Sequence, residues 1–550
     1  VIHDRNLPIV GEGREEVINE FPAFSYLLAD NHPHVMALPF ALAAMSLALA
    51  VALSRMTPST WHTMFYGVSV GALIFLNTWD APVYLALLVG AEAMRAWHAN
   101  GGRWRSSDTW TLAAFGALLA FVAVVAYLPF LVSFSSQLGG ALPNLFYPTR
   151  FRQILLTFGA LVPLAALFIG VEAWRGGRSL NWRAGLIGGL GTFGLILLAF
   201  MLLIVLGAIS PAWRGSNQQT LIELGAPALQ ETLQRRLEYI LTTVLLVAGL
   251  IVIFARLFSV DRKSVKTSDA GRIPYPIQTG VALMMAAAAI VLVLTPEYVY
   301  LRDGFSQRMN TIFKFYYQAW ALLGIVGAYG LHSVLADLPL RLPARPIRGV
   351  IGAGALIAIA MGLVYPLTAI PERMFNETGR DSGFNTSPLT LDGAISLTSS
   401  GDYEALICLR DLTAGQTDVV VAEVTFGGGY DYFNGGIASG RVTGITGLPV
   451  VIGWQGHQRQ WRGNTYNSAV GSRAQDIEQL YKDLRLDVVQ EIIDRYSIDY
   501  IVFGPPERSR YGADGELKFL DSFETVCQSN ETRVYRAIGQ AGTLSAGGRP

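Results

Sequence analysis

Cysteine is scarce in this chain: there are two in 550 residues, Cys408 and Cys527, and neither belongs to a CxxC pair or a histidine cluster. A zinc ribbon and a disulfide framework are thereby excluded, which leaves one bridge between the two as the use open to them in an oxidising compartment. Charge is scarce as well. Asp, Glu, Lys and Arg make up 15% of the residues and cancel to a net charge of zero, so no global field points to nucleic acid or an acidic partner. Also missing are a GxxxxGK[ST] phosphate loop, a Rossmann glycine fingerprint, an HExxH zinc motif and a GxSxG elbow. The GGG at 427–429 reads as a turn, because no helix follows it. The chain starts at Val1 with neither an initiator Met nor a signal-peptide pattern, so further N-terminal sequence, spans included, is expected upstream.

What fills the chain instead is apolar. Hydrophobic residues make up 52% of it and come in long blocks, not in amphipathic stripes, which is the pattern of a polytopic α-helical membrane protein. At roughly 20 residues per span, ten candidate helices fall near 35–54, 63–77, 81–97, 110–132, 153–172, 184–209, 239–258, 276–294, 315–335 and 348–369. Basic residues occupy every second loop: Arg55; Arg95, Arg103 and Arg105; Arg175, Arg178 and Arg183; Arg256, Arg262, Lys263, Lys266 and Arg272; Arg341, Arg345 and Arg348. The positive-inside bias assigns those loops to the cytoplasm and everything else between the spans to the outer face. From residue 372 the composition turns to Gly, Asp, Thr and Ser with short β-branched runs at 419–426, 449–454 and 499–504 and helical spacing over 402–412 and 474–496. Three parts are therefore expected: an outer-face segment over 1–32, a transmembrane helical domain over 33–371, and an extracytoplasmic α/β domain over 372–550. Sequons at Asn376, Asn385 and Asn530 fit that exposure.

The chemistry-bearing stretches converge on the outer side. "LLADNHPHVMALPF" sets Asp30, His32 and His34 at the lip of the first span. In an extended backbone the two histidines share a side with Asp30 beside them, a set suited to acid–base work or to a divalent cation, Mg or Mn. The plainer reading is capping by Asp30 or Asn31 with Pro33 in the first turn. "EYVYLRDGFSQRMNTIFKFYYQAW" groups Arg302, Asp303, Arg308 and Lys314 with Tyr316 and Tyr317, a cradle for a phosphate headgroup or else an interfacial belt. "NTWDAPVY" puts Trp79 and Asp80 in a turn between spans, where Asp80 is a candidate helix cap. "TGLPVVIGWQGHQRQWRG" gathers Trp454, His457, Trp461 and Arg462 into a surface for a sugar or for docking the outer domain.

Four strings, "INEFPAFSYLLADNHPHVMALPF", "NTWDAP", "YLRDGFSQRMNTIFKFYYQAW" and "TGLPVVIGWQGHQRQWRG", resemble the multispanning membrane proteins called Chlor_Arch_YYY. The layout is similar to the GT-C glycosyltransferases, which carry many spans, an acid in an early outer loop and a C-terminal soluble domain. That resemblance implies a polyprenyl-phosphate-linked sugar as donor, often with a divalent metal, and Asp30 or Glu20 as the catalytic acid. The span that precedes that loop in the class is absent here, so either residue fits only if 1–32 completes such a loop. On this reading Asp30 or Glu20 deprotonates the acceptor or holds a metal with His32 and His34, while Arg302, Arg308 and Lys314 neutralise the leaving phosphate in the plasma membrane. A flippase for a lipid-linked or anionic solute, and a noncatalytic subunit with protein partners, are the rival expectations.

Overall fold

The computed structural model describes residues 2–5, 14–17, 20–28, 32–134, 138–261, 273–303, 307–335, 344–373, 400–428, 432–433 and 436–537. The chain divides into two compact units, Val1–Ile370 and Pro371–Pro550. Asn376 and Asn385 lie outside the described residues, as do Arg262, Lys263, Lys266, Arg272 and Arg341.

The first unit is helical: α1 (Pro22–Leu27), α2 (Pro33–Leu53), α3 (Thr60–Asn77), α4 (Ala81–Ala99), α5 (Ser106–Ala126), α6 (Leu128–Ser133), α7 (Phe151–Phe158), α8 (Leu161–Gly176), α9 (Trp182–Ile209), α10 (Ser216–Leu224), α11 (Ala226–Glu238), α12 (Ile240–Leu257), α13 (Ile277–Leu294), α14 (Met309–Leu335) and α15 (Ala344–Pro371). Two short antiparallel ladders accompany them, β1 (Ile2–Arg5) with β2 (Arg14–Val17), and β3 (Ala141–Pro143) with β4 (Val299–Leu301).

Among the described residues seven helices are long and apolar enough to cross a membrane, or eight if α7 and the segment Leu161–Ser179, bent by 103°, count as one broken span. The protein is polytopic, with seven or eight candidate spans among the described residues against the ten expected. The stretches 63–77 and 81–97 do fold as helices, of 18 and 19 residues. Trp61, His62 and Asn77 in α3, and Glu92, Arg95 and His98 in α4, make these two less apolar than the seven. The stretch 153–172 breaks at Gly159, whose φ of +51° suits glycine.

Close packing follows from small residues. A side chain at Gly185 of α9 would meet the Ile251 carbonyl of α12 at 2.6 Å, and Gly189, one turn on, is equally tight against Ile251. This four-residue spacing lets two backbones approach where lipid supplies no hydrophobic drive between helices.

The loops sort to two ends. At one end Glu92 pairs with Arg95 at 2.7 Å, and Glu172 takes both Arg175 at 2.6 Å and Arg256 at 2.9 Å, tying α8 to α12. At the other, β3 and β4 join the loops after α6 and α13, and Arg302 donates to the Ala212 carbonyl at 3.0 Å. The loop holding Asp80 reaches the same end, with Trp79 edge-on to Phe315 at 6.2 Å.

The second unit is a mixed α/β domain. Its sheet runs β5 (Val421–Ala422), β8 (Tyr500–Phe503), β10 (Thr532–Arg536), β9 (Glu524–Ser529), parallel between β5 and β8 and antiparallel elsewhere. A hairpin of β6 (Tyr432–Phe433) and β7 (Gly436–Ile437) stands apart. The helices Ser400–Leu412, Arg473–Lys482 and Leu486–Tyr496 match the spacing read from sequence. The run 419–426 is strand only at 421–422, because beyond it the Val424 N–H donates to Glu507 at 2.9 Å instead of to a neighbouring strand. The run 449–454 contributes a single bridge, Val450 with Val421. Cys408 and Cys527 form a disulfide with a Cα separation of 5.9 Å, joining the helix Ser400–Leu412 to β9.

Candidate functional site

Two polar centres form where the second set of loops meets the start of α14. The first is built around Arg308, just ahead of that helix. Its Nη1 lies 3.2 Å from Glu297 Oε1 and donates to Thr149 Oγ1 at 3.0 Å. The other Glu297 oxygen accepts from the Thr149 N–H at 2.7 Å. Arg236 of α11 donates to the carbonyls of Asn144 and Glu297, while the Asn144 amide bonds the carbonyls of Tyr147 and Pro296, both at 3.0 Å. The Arg308 and Glu297 side chains are 1% and 3% exposed, so each charge depends on the other for its solvation.

The second centre lies six residues along. Lys314, Tyr317 and Gln318 share a face of α14, being three and four residues apart. The His34 ring packs edge-on against Phe313 at 4.6 Å and Tyr317 at 4.7 Å. From the α3–α4 turn comes Asp80, fully buried. It occupies the cap position of α4 with helical dihedrals, φ −83° and ψ −33°, and its side chain makes no cap bond. The side-chain amides of Asn77 and Gln318 are directed at its carboxylate, as the His34 ring is at Glu20. The Tyr84 hydroxyl donates to the Gln318 carbonyl oxygen. Lys314 rests over the Phe313 ring at 5.5 Å and feels the charges of Asp80, Glu20 and Asp303.

Glu20 completes this centre. It accepts from Ser25 Oγ at 2.9 Å and lies 3.6 Å from His34 Nε2. Burial alone raises its carboxyl, but the hydrogen bonds from His34 and Ser25 outweigh that and hold it below the ordinary range, so it is ionised at neutral pH. Asp80, in the turn outside the spanning helices, goes the other way. Burial pushes it up to about 7 against the opposing influence of Asn77, Lys314 and Gln318. Two carboxyls shifted in opposite directions and gathered beside one lysine make this cluster the candidate site.

The remaining expected site residues are placed as follows. Asp30 lies outside the described residues. His32 is the cap residue of α2, with Pro33 in the first turn, and its ring sits 5.3 Å from that of His34. Tyr316 is buried, packed on Phe158 at 5.2 Å. In the second unit Trp454 donates to the Ser439 carbonyl at 2.6 Å, and His457 lies between Trp454 and Trp461, 5.7 and 5.2 Å away. Trp461 and Arg462 are exposed.

Among the described residues no group of three or more His, Cys, Asp or Glu is arranged to hold a metal. His34 is boxed between aromatic edges and directed at Glu20, while Asp30, the third expected donor, lies outside the described residues.

Residues 2–323 match the family described as uncharacterized membrane protein, DUF2298. The chain belongs to DUF2298. It is accordingly an integral membrane protein, and no curated protein or solved structure matches it. The DUF2298 region takes in both polar centres and ends inside α14, just past Gln318; the Trp454–Trp461 ledge lies beyond it. Sequence reasoning passed over three members of the second centre, Asn77, Tyr84 and Gln318. A glutamine inside an apolar DUF2298 helix was the available signal, since polar side chains in spans are costly without a task.

Proposed function

We propose that the Lys314 centre is the site of an integral-membrane glycosyltransferase that uses a polyprenyl-phosphate-linked sugar. The observation that carries this reading is a carboxylate, Glu20, held ionised beside His34 and gathered with Asp80 around Lys314 at one end of the bundle. The acceptor hydroxyl attacks the sugar C1 as its proton passes to Glu20, directly or through the His34 imidazole. The bond from C1 to the phosphate oxygen breaks, its electron pair stays on the phosphate, and Lys314 neutralises that charge. Arg302, partly exposed on the same side, and Asp303 border the phosphate; Asp30 is a second candidate base. Arg308 stands behind this site as the pair of Glu297, holding the start of α14 in place.

The similarity of layout to the GT-C class supports the same reading, as does a disulfide-bonded second unit, which suits an extracytoplasmic position at the plasma membrane. A carrier would favour ionisable groups midway through the spans. Those of the described spans lie toward their ends, His34 and Lys314 at the start of α2 and α14, Arg256 at the end of α12. The test is transfer of labelled sugar from polyprenyl phosphate in proteoliposomes. Glu20→Gln and Lys314→Met should each lower the rate about 100-fold or more with normal folding; undiminished transfer in both variants sinks the assignment.

A further inference from the structure

Helix α11 presents three different faces. Its inner face, Ala228, Thr232 and Arg236, is packed down, with the Arg236 guanidinium over the rings of Phe200 and Tyr298 at 5.1 and 4.9 Å. A second face turns Gln234 and Glu238 toward a recess shared with Arg150, Gln153, Arg235 and Tyr239. The third face is a row of leucines four residues apart, Leu229, Leu233 and Leu237, exposed by 50%, 54% and 68%. At 13 residues with two glutamates and two arginines, α11 is no span, yet it leaves a row of large apolar side chains uncovered.

Two observations say what covers that row. Leu237 is followed within a turn by Ile240 and Leu241 at the start of the spanning helix α12, themselves 48% and 54% exposed, so the row adjoins apolar side chains of a span that leave the protein for lipid. Its height is set by the clamp: Arg236 bonds the carbonyls of Asn144 and Glu297, beside the end of the span Ile277–Glu297. A helix at that level with polar, packed and apolar faces is the pattern of one lying in the bilayer interface. We propose that α11 lies in the plane of the membrane, with Leu229, Leu233 and Leu237 among the acyl chains of the leaflet and Gln234 and Glu238 at the headgroup level. The inference is independent of the glycosyltransferase reading.

The experiment is depth quenching on the full chain with its native disulfide intact. Leu233→Cys and, separately, Gln234→Cys carry an NBD label in phosphatidylcholine vesicles. The label at 233 should emit to the blue and lose roughly half its intensity when the lipid is brominated near the top of its acyl chains, whereas the label at 234 should respond to aqueous iodide. Leu237→Cys repeats the measurement should the first variant fold poorly. Water-like emission with iodide quenching at 233 and 237 overturns the proposal. So does blue emission that brominated lipid leaves unchanged, which would put a second protein surface over the row.

Discussion

Six residues separate Arg308 from Lys314, and the two cations live in opposite circumstances. Arg308 is enclosed, paired with Glu297 and bonded to Thr149, and its neighbours Asn144 and Arg236 are in turn tied to backbone carbonyls. Lys314 has Asp80 and Glu20 within electrostatic reach, one a carboxyl that burial raises and the other a carboxylate that its hydrogen bonds keep low. One centre is a closed ion pair, whereas the other gathers carboxyls of opposite shift around a lysine, which suits the two to different tasks. The first holds the loops and the helix start in register; on the proposed reading the second carries the chemistry. Grouping all basic residues of 302–314 as one phosphate cradle, as the sequence invites, merges these two roles.

The contrast can be broken most forcefully at the closed centre. Arg308→Ala strands a buried glutamate and should cost about 3–5 kcal/mol, seen as a collapse of the thermal midpoint in detergent. Survival with a near-normal midpoint would show that the pair does not hold the fold. Next comes Asp80, whose folded pKa of about 7 stands above its ordinary 3.8. A carboxyl raised on folding stabilises fully below about pH 4, loses that contribution as pH climbs to about 7, and is level beyond. The loss amounts to roughly 4 kcal/mol in all. Asp80→Asn should therefore flatten the pH dependence of the thermal midpoint between pH 4 and 7, and an unchanged slope would refute the burial argument. Smallest in stability is Lys314→Met, expected within about 0.5 kcal/mol of the parent, even as it removes transfer. A large loss of midpoint in that variant would move Lys314 to the structural side of the comparison.

Much of the architecture was legible beforehand. Long apolar blocks such as 184–209 and 276–294 became α9 and α13, and the alternation of basic loops anticipated the two ends of the bundle. Helices α3 and α4 were recognised as helices, though their polar ends leave them less apolar than the other seven. At the site, Trp79, Asp80, His34, Lys314 and Glu20 were each singled out from local strings. What the strings hid was partnership. The Glu297–Arg308 bond spans eleven residues across an irregular turn, and the Tyr84–Gln318 bond spans 234, so no periodicity reports either. The alternation that aligned His32 with His34 assumed extended backbone, whereas Pro33 starts the helix and carries His34 inward between Phe313 and Tyr317. In the second unit the β-branched run 419–426 overstated its strand because side-chain acceptors on Glu507 and Tyr511 take the N–H groups of Val424 and Thr425.

The bridge between Cys408 and Cys527 has a practical consequence. Its partners are 119 residues apart and enclose β5, β8 and the helices between, so most of the second unit is a covalent ring. A protease that cuts once anywhere inside that ring opens it without releasing anything. The nicked protein keeps its mass on a non-reducing gel and falls into two pieces only after a thiol is added. Paired gels run on intact cells treated with an external protease would thus report, from one band shift, both whether the ring is closed and on which side of the membrane it stands.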